Sequence, residues 1–340
     1  MQQIVATGSP QPLNITRDTA LQQQLLSRRD RLKESIHEMQ NPDEIVLLLR
    51  EVDAALERMD KGTFGVCETC HGSIENDRLL VDPLCRNCLD HLSDKERKAM
   101  ERDLDLAYEV QRGLLPKPDL AVEGWQVSYH YDPAGSVSGD YCDIITPEGA
   151  PGSFYFLVGD VTGKGVAASL LMSHLHATFR SLATTRLAVH ELVQRANRIF
   201  CEGTLSTHFA TLVCGRAEAN GEVEICNAGH CLPLHVRKDG VRSLPSTGLP
   251  LGLLCDSSYT SVRASLASGD SLLLYTDGLS EARDIGGRQY GDERLFALAG
   301  RLGALAPKPI INAYLEDLRS FRPGVQRADD LTLMVVRRGA

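Results

Sequence analysis

The sequence lacks several features that would assign it directly to a class of protein. None of its apolar runs approaches the roughly 18 residues that a membrane span needs, and the longest, such as FYFLV and SLLLY, have the length of a strand. Its N-terminal segment has no basic region followed by an apolar one, so we expect no secretory signal, a cytoplasmic location and no membrane partner. An excess of positive charge is also absent: the net charge of −9 does not favour direct binding to DNA.

Two nucleotide-binding patterns are missing as well. In the stretch VGDVTGKGVAASLLM (158–172), three residues separate Gly159 from Gly163, where the phosphate loop G-x-x-x-x-G-K-[ST] has four. A glycine follows Lys164, so the hydroxyl that would contact Mg²⁺ is missing, and no G-x-G-x-x-G occurs elsewhere. A phosphate loop is therefore the minor interpretation of this stretch.

The composition and periodicity indicate a chain of several parts. The 340 residues predict about two domains. Residues 1–16 are expected to form a loose tail. Apolar residues spaced by three, four or seven over 17–61 predict two helices in a hairpin, broken at Asn41-Pro42-Asp43. The charged, amphipathic segment 93–118 predicts a helical linker or a dimerising coiled coil.

Residues 119–340 have a different pattern. Short runs rich in Val, Tyr and Phe alternate with Gly and Pro breaks and with two longer helical runs, which favours a layered α+β domain over strict βαβ alternation. The predicted strands lie near 125–131, 140–146, 153–160, 208–217, 221–227, 231–237, 270–276 and 330–337. The predicted helices lie near 163–184, 189–202, 292–301 and 308–320.

Ten cysteines without a secretory signal favour reduced thiols or metal ligands over disulfides. Four of them form the pattern C-x2-C-x14-C-x2-C, and two such turns can close a tetrahedron around one structural Zn²⁺. The neighbouring His71 and His91 are interpreted as ordinary solvated side chains. The predicted zinc ligands are Cys67, Cys70, Cys85 and Cys88. The predicted core thiols are Cys142, Cys201, Cys214, Cys226, Cys231 and Cys255.

The stretch EIVLLLREVDAALERMDKGTFGVCETCHGSIENDRLLVDPLCRNCLD resembles the DksA/TraR-type zinc finger. The shared features are a helix with a Leu/Met stripe, the GTFG lead-in, both C-x2-C pairs, and an Arg-Leu and a proline between them. The resemblance implies a C4 zinc finger over residues 62–92 that serves regulation or dimerisation. In that family a helical hairpin can enter RNA polymerase, but the turn at residues 41–43 lacks the acidic D-x-x-D-x-A motif, which argues against this partner.

Aspartates stand at the beginning or end of four predicted strands. Asp160 follows FYFLV, Asp277 follows SLLLYT, Asp140 and Asp143 open another strand, and Asp329-Asp330 precedes LTLMVV. One such aspartate is usually a turn or helix cap. Four strand ends together favour a site for Mg²⁺ or Mn²⁺, which prefer oxygen ligands. Carboxylates from several distant positions are what a two-metal site requires.

Residues 124–338 resemble the metal-dependent serine/threonine phosphatases of the PPM (protein phosphatase 2C-like) superfamily, and within it the SpoIIE/RsbU type. The motifs are SGDYCD, VGDVTGKGVAASLLM, NAGH, YTDGLSEAR and ADDLTLMVV, in the order of the family. The resemblance implies a PPM-type α-β-β-α sandwich over residues 119–340. The helical hairpin, the C4 zinc finger and the helical linker precede it.

The resemblance also implies roles for the carboxylates. Asp160 is expected to bridge two metal ions, and the backbone carbonyl of Val161 is expected to help hold the second. Asp140 is expected to serve the second metal, and Asp277 and Asp329 the first. The implied cofactors are two Mn²⁺ or Mg²⁺ ions, with a third left open, and one structural Zn²⁺.

Two further carboxylates, Asp143 and Asp330, are expected to act through waters, and the choice between Asp329 and Asp330 as the direct ligand stays open. The resemblance implies hydrolysis of phosphoserine or phosphothreonine by a metal-activated water, with no covalent enzyme intermediate.

The implied substrate is a phosphorylated anti-anti-sigma (STAS) protein or a similar partner-switching protein. The hairpin, zinc finger and linker would set homodimerisation and activity. The main alternative is a transcription-linked zinc-finger binding protein with a non-catalytic phosphatase fold. A third interpretation is a two-metal phosphodiesterase or nucleotide cyclase.

Overall fold

The computed structural model describes most of the chain in two compact units, residues 1–102 and 103–340. Most of the predicted tail, and Asn41-Pro42 of the predicted hairpin turn, lie outside the described residues. The described residues are 15–38, 43–75, 78–79, 82–149, 152–204, 207–325 and 327–339.

The first unit contains two helices, α1 (Ile15–Glu38) and α2 (Asp43–Asp60), where the periodicity predicts them. Leu25 of α1 and Val52 and Leu56 of α2 share one apolar cluster, so the two helices bury their apolar stripes against each other. The cysteine-rich segment follows and includes a short 3₁₀ helix at Leu89–His91. A third helix, α3 (Asp94–Leu114), begins in this unit and ends in the second.

The second unit contains two antiparallel sheets, with strand orders β1-β2-β11-β10-β7-β8 and β3-β4-β5-β6-β9. The strands of the first half are β1 (Asp119–Val122), β2 (Trp125–Asp132), β3 (Asp140–Ile145), β4 (Phe154–Val161), β5 (Ala210–Ala217) and β6 (Glu222–Ala228). The remaining strands are β7 (Leu234–Arg237), β8 (Gly240–Ser243), β9 (Val262–Ser265), β10 (Ser271–Tyr275) and β11 (Leu331–Arg338). The helices are α4 (Val166–Ala183), α5 (Val189–Gly203), α6 (Asp277–Ser280), α7 (Gly291–Leu302) and α8 (Pro307–Phe321).

Three apolar clusters define the layers of this unit. Phe156 of β4 and Leu274 of β10 belong to the cluster between the two sheets. A second cluster joins the outer face of the five-stranded sheet to α4 and α5, and a third joins the outer face of the six-stranded sheet to α7 and α8. These layers form the α-β-β-α sandwich. No helix in the part of the chain that the structure describes has the length and apolar content needed to span a bilayer.

One prediction about the cysteines is wrong. Cys201 of α5 and Cys255 form a disulfide, because the loop that carries Cys255 crosses the end of this helix. The side-chain amide of Asn197 holds that loop by donating hydrogen bonds to the carbonyls of Leu254 and Cys255, at 2.9 and 3.1 Å. Cys231 is partly buried, and the other predicted core thiols of this unit are buried as expected: Cys142, Cys214 and Cys226.

Candidate active site

Two aspartates lie opposite each other at one end of the sandwich, where Asp140 of β3 pairs with Asp160 of β4. Side chains of a strand alternate between its two faces. Val158 and Cys142 belong to the cluster between the sheets, so Asp160 and Asp140, two residues away on their strands, lie on the same inner faces. The two carboxylates therefore lie at the end of the apolar layer between the sheets.

The carboxylate of Asp140 connects the two sheets. Its Oδ2 accepts hydrogen bonds from the hydroxyls of Thr276 at 3.0 Å and Thr332 at 2.5 Å, and both threonines belong to the opposite sheet region. The side chain is almost fully buried. Burial and the nearby charge of Asp160 raise the pKa of Asp140 well above its usual value. Since Thr276 directly precedes Asp277, this contact also brings the next carboxylate to the site.

The carboxylate of Asp160 is repelled by other carboxylates around it. Burial, followed by the charges of Asp277, Asp329 and Asp330, raises the pKa of Asp160 to about 7. Burial and the charge of Asp329 raise the pKa of Asp277. Lys164 partly offsets both effects. The carboxylates of Asp140, Asp160, Asp277 and Asp329, which are far apart in sequence, thus interact electrostatically. Added divalent cations would relieve the repulsion among them.

The backbone beside Asp160 is also open to a ligand. A Cβ atom on Gly139 would lie 2.9 Å from the carbonyl oxygen of Val161 and 3.3 Å from Oδ1 of Asp160. A side chain at Gly139 would therefore crowd both oxygens. Carboxylate and carbonyl oxygens form the donor set that Mg²⁺ and Mn²⁺ prefer, so these residues fit the implied metals.

The carboxylates at this end of the sandwich do not form a compact group of potential ligands among the described residues. Among the described residues, only a thiol-containing cluster in the first unit gathers at least three potential ligands with all donor atoms within 4.8 Å. Two ions about 3.5–4 Å apart need donors spread over a larger volume than one ion does.

The adjacent Asp329 and Asp330 have different partners in the structure. The carboxylate of Asp330 accepts hydrogen bonds from the backbone N–H groups of Ala134 at 2.7 Å and Gly139 at 2.9 Å. The side chain of Asp329 is half exposed and lies 3.1 Å from the ammonium of Lys164. Asp330 therefore holds the loop ahead of β3, whereas the more exposed Asp329 accepts a hydrogen bond from the N–H of Asp330 at 3.1 Å and pairs with Lys164.

Asp143 lies away from the other carboxylates. It is three residues from Asp140, so the alternation of β3 places it on the opposite face, against α4. There its fully buried carboxylate accepts two hydrogen bonds from the guanidinium of Arg180, at 3.0 and 2.8 Å. This ion pair stabilises the helix–sheet contact, and the expected role of Asp143 through waters stays a prediction.

Two arginines at the site escaped the sequence analysis. A cavity of about 210 Å³ is lined by Arg283 and Arg322 together with Asp277 and Asp329. Both arginines are more than a hundred residues from Asp140, and only the fold brings them near. Arg283 is the last residue of the motif YTDGLSEAR, to which the sequence analysis assigned no arginine role, and Arg322 lies in none of the motifs.

A glutamine of α3 also contacts the site region. The side-chain amide of Gln111 donates a hydrogen bond to the carbonyl of Ser138 at 2.7 Å and accepts one from its N–H at 3.0 Å. Gln111 is buried, and Ser138 lies two residues before Asp140. The helical spacing of the linker gave no signal for this contact.

In the first unit the structure gathers Cys67, Cys70 and Cys88, but the fourth member of the group is His91. The predicted fourth ligand, Cys85, is not in this group. The predicted set of four cysteines therefore differs from the observed cluster by one residue.

Comparisons with known proteins agree with this architecture. A family model described as Stage II sporulation protein E (SpoIIE) matches residues 150–339, more than half of the chain. The SiaA-PP2C domain of Pseudomonas aeruginosa has a TM-score of 0.64 at 18% identity, over 73% of this chain and 99% of that domain, which shows a shared fold.

Two curated relatives match a large part of the chain. Protein IcfG of Synechocystis sp. is 26% identical over 270 residues, which are 69% of this chain and 41% of IcfG. The phosphoserine phosphatase RsbU of Bacillus subtilis is 26% identical over 247 residues, which are 71% of this chain and 72% of RsbU. The match therefore spans less than half the length of IcfG.

Proposed function

The chain belongs to the SpoIIE family, and from this premise we propose that residues 119–340 form a metal-dependent phosphatase acting on phosphoserine or phosphothreonine in proteins. The observation that carries the proposal is the convergence of Asp140, Asp160, Asp277 and Asp329 at one end of the sandwich, where burial and repulsion raise the pKa of Asp160 to about 7. The name of the relative RsbU, a phosphoserine phosphatase, supports the same activity.

Each carboxylate has a role in this proposal. Asp160 would bridge two Mn²⁺ or Mg²⁺ ions, since it interacts with the carboxylates of both groups. Asp140 and the carbonyl of Val161 would hold one ion, and Asp277 and Asp329 the other. When bound, such a pair lowers the pKa of a water molecule and neutralises charge on the phosphoryl group.

Asp329 is the better candidate for the direct ligand. Its carboxylate lines the cavity with Asp277, whereas that of Asp330 is occupied by two backbone N–H groups. Asp330 would act on the site by fixing Gly139, the residue before Asp140. Lys164, which contacts Asp329, would have to move when a metal binds.

Two arginines and three carboxylates line the cavity on the substrate side of the site. Arg283 and Arg322 line the cavity that Asp277 and Asp329 also line. A guanidinium group can bind a phosphate through two parallel hydrogen bonds. We therefore assign to these arginines the binding of the phosphoserine or phosphothreonine group, and propose a phosphorylated STAS-type partner-switching protein as the substrate.

Regulation is assigned to the N-terminal parts: the hairpin over 17–61, the zinc finger over 62–92 and the linker over 93–118. We propose that they set homodimerisation and activity in a cytoplasmic protein. The support is the contact of Gln111 in α3 with Ser138, because a displacement of this helix would disturb the strand that carries Asp140.

The test is Mn²⁺-dependent hydrolysis of p-nitrophenyl phosphate and of a phosphorylated STAS protein. The variant Asp160→Asn should lose more activity than the roughly 10–100-fold that changes around a metal ligand cost, while keeping its fold. Asp239→Asn is a matched control, because this exposed aspartate lies in the β7–β8 turn. Retained activity of Asp160→Asn at saturating Mn²⁺ would overturn the assignment.

The alternative of a transcription-linked zinc-finger protein with a non-catalytic phosphatase fold is not favoured. All four carboxylates expected at the site are present in this chain and lie close enough to influence one another. Absence of any Mn²⁺-dependent hydrolysis by the wild-type chain would restore this alternative.

A further inference from the structure

A buried histidine lies next to the proposed metal site and is not one of its proposed ligands. His230 ends the segment NAGH (227–230), which begins in the last two residues of β6. Its side chain is only 6% exposed. Burial lowers the pKa of His230 to about 4, so the imidazole is neutral near pH 7 and can both donate and accept one hydrogen bond.

One partner of this imidazole is the direct neighbour of Asp160. Nδ1 of His230 and the hydroxyl oxygen of Thr211 lie 2.8 Å apart and share a hydrogen bond. Thr211 of β5 is paired with Asp160 of β4, and opposite residues of paired strands lie on the same face of the sheet. Val213, two residues further along β5, belongs to the cluster between the sheets, so Thr211 also lies on that inner face. His230 therefore contacts the residue beside the carboxylate that is proposed to bridge the ions.

The other side of the imidazole lies near the second sheet. Nε2 of His230 is buried and has no hydrogen bond of regular geometry among the described residues. The backbone of Tyr275, the last residue of β10, favours the protonated ring, which is the effect of a nearby carbonyl oxygen. Cys231, the next residue after His230, packs against the cluster that contains Tyr275. Since Tyr275 lies two residues before Asp277, His230 connects the strand next to Asp160 with the strand that leads to Asp277.

The turn that carries His230 is fixed by Asn227. The side-chain amide of Asn227 donates a hydrogen bond to the carbonyl of His230 at 3.1 Å and accepts one from its N–H at 2.8 Å. Asn227 is itself fully buried, and its N–H donates to the hydroxyl of Thr247 at 2.8 Å. The backbone of His230 is thus held from both sides, so its imidazole can keep Thr211 in one position.

We infer that His230 is a positioning residue of the metal site, which holds Thr211 beside Asp160 and lies against the backbone that leads to Asp277. It thereby helps to set the distance between the carboxylates of the two sheets. Groups that support metal ligands in this way orient them and contribute to metal affinity. The inference rests on the proposed function, because it assumes that these carboxylates bind Mn²⁺ or Mg²⁺.

The experiment measures the Mn²⁺ affinity of the full-length chain by calorimetry, with urea unfolding of the metal-free chain as a second readout. Thr211→Val keeps the shape of the side chain and removes its hydroxyl, so it should weaken Mn²⁺ binding about 10–100-fold. His230→Leu should weaken binding to a similar extent. The double variant should bind no more weakly than either single variant, because both changes remove the same contact.

Two further variants separate positioning from a general loss of stability. His230→Asn keeps a hydrogen-bonding group close to the position of Nδ1, so it should retain an Mn²⁺ affinity near that of the wild type even if it unfolds at lower urea. His235→Leu is the matched control, since this buried histidine lies in β7 opposite Leu272, away from the end of β10 that leads to Asp277. It should lose stability and keep the Mn²⁺ affinity of the wild type.

The outcomes distinguish this inference from the proposed function. If the wild type binds Mn²⁺ and the folded Thr211→Val and His230→Leu variants bind it equally well, the inference is overturned and the proposed function stands. Additive losses in the double variant, or a loss in His230→Asn as large as that in His230→Leu, would overturn the inference as well. A wild-type chain that binds no Mn²⁺ would overturn the proposed function and this inference together.

Discussion

The hydroxyl of Thr332 offers a direct test of the site, because it lies 2.5 Å from the buried carboxylate of Asp140. Thr332→Val removes this donor and keeps the shape of a fully buried side chain. Thr276 still donates to the same oxygen, so Asp140 loses one of its two hydroxyl partners. We expect the variant to fold and to bind Mn²⁺ more weakly.

The magnitude follows from the chemistry of the contact. A hydrogen bond to a charged group contributes about 1.5–3 kcal/mol, and each 1.4 kcal/mol corresponds to about a tenfold change in a binding constant. The Mn²⁺ concentration for half-maximal activity should therefore rise about 10–100-fold. This range agrees with the cost of removing a group that orients a metal ligand.

The assay is a Mn²⁺ titration of p-nitrophenyl phosphate hydrolysis, with thermal melting to check the fold. Thr332→Ser is the matched control, because it keeps the hydroxyl and loses only a methyl group. Its Mn²⁺ requirement should stay near that of the wild type even if its melting temperature falls. A folded Thr332→Val variant with the Mn²⁺ requirement of the wild type would refute the claim that the Thr332 hydroxyl orients Asp140 for metal binding.

Three further predictions concern Asp330, Gln111 and His230. Asp330→Asn should lower the free energy of unfolding by about 1–3 kcal/mol in urea, since one buried-side backbone N–H loses its acceptor, and it should impair Mn²⁺ binding less than Asp329→Asn does. Gln111→Leu should also cost about 1–3 kcal/mol and raise the Mn²⁺ requirement, and an unchanged requirement would contradict the proposed coupling of α3 to the site. Burial lowers the pKa of His230 to about 4, below the unfolded value of about 6.5, so stability is lost as the pH falls from 6.5 towards 4. This group alone removes about 2 kcal/mol between pH 7 and 5, and His230→Gln should flatten that part of a stability–pH curve measured by urea unfolding.

Much of the fold could be predicted from sequence. The strands that were not predicted were missed for one common reason. The predicted strands correspond to strands that pack into the two sheets, where long apolar runs give a clear signal. The strands β1, β8 and β9 were not predicted, and each is a four-residue strand at the edge of its sheet. An edge strand buries little of its surface, so its sequence carries a weak apolar pattern.

The site was predictable only in part, for a similar reason. Carboxylates at strand ends, such as Asp160 and Asp277, are visible because they interrupt apolar runs. Thr332, which contacts Asp140, and Gln111, which contacts Ser138, lie inside regular elements, and neither side chain interrupts the pattern of its element. In the first unit, the group of potential ligands contains His91 in place of the predicted Cys85, because the 3₁₀ turn after Cys88 brings His91 close to the thiols.

The crowding of acids at one end of the sandwich has a consequence for how such a protein can change over time. Neutral replacements there would reduce the repulsion and stabilise the metal-free chain. They would also remove the groups that are proposed to bind the ions. If these carboxylates bind cations as proposed, activity and stability would favour different residues at the same positions, and bound cations would offset the repulsion. A cell poor in that cation would meet a more fragile protein as well as a less active one.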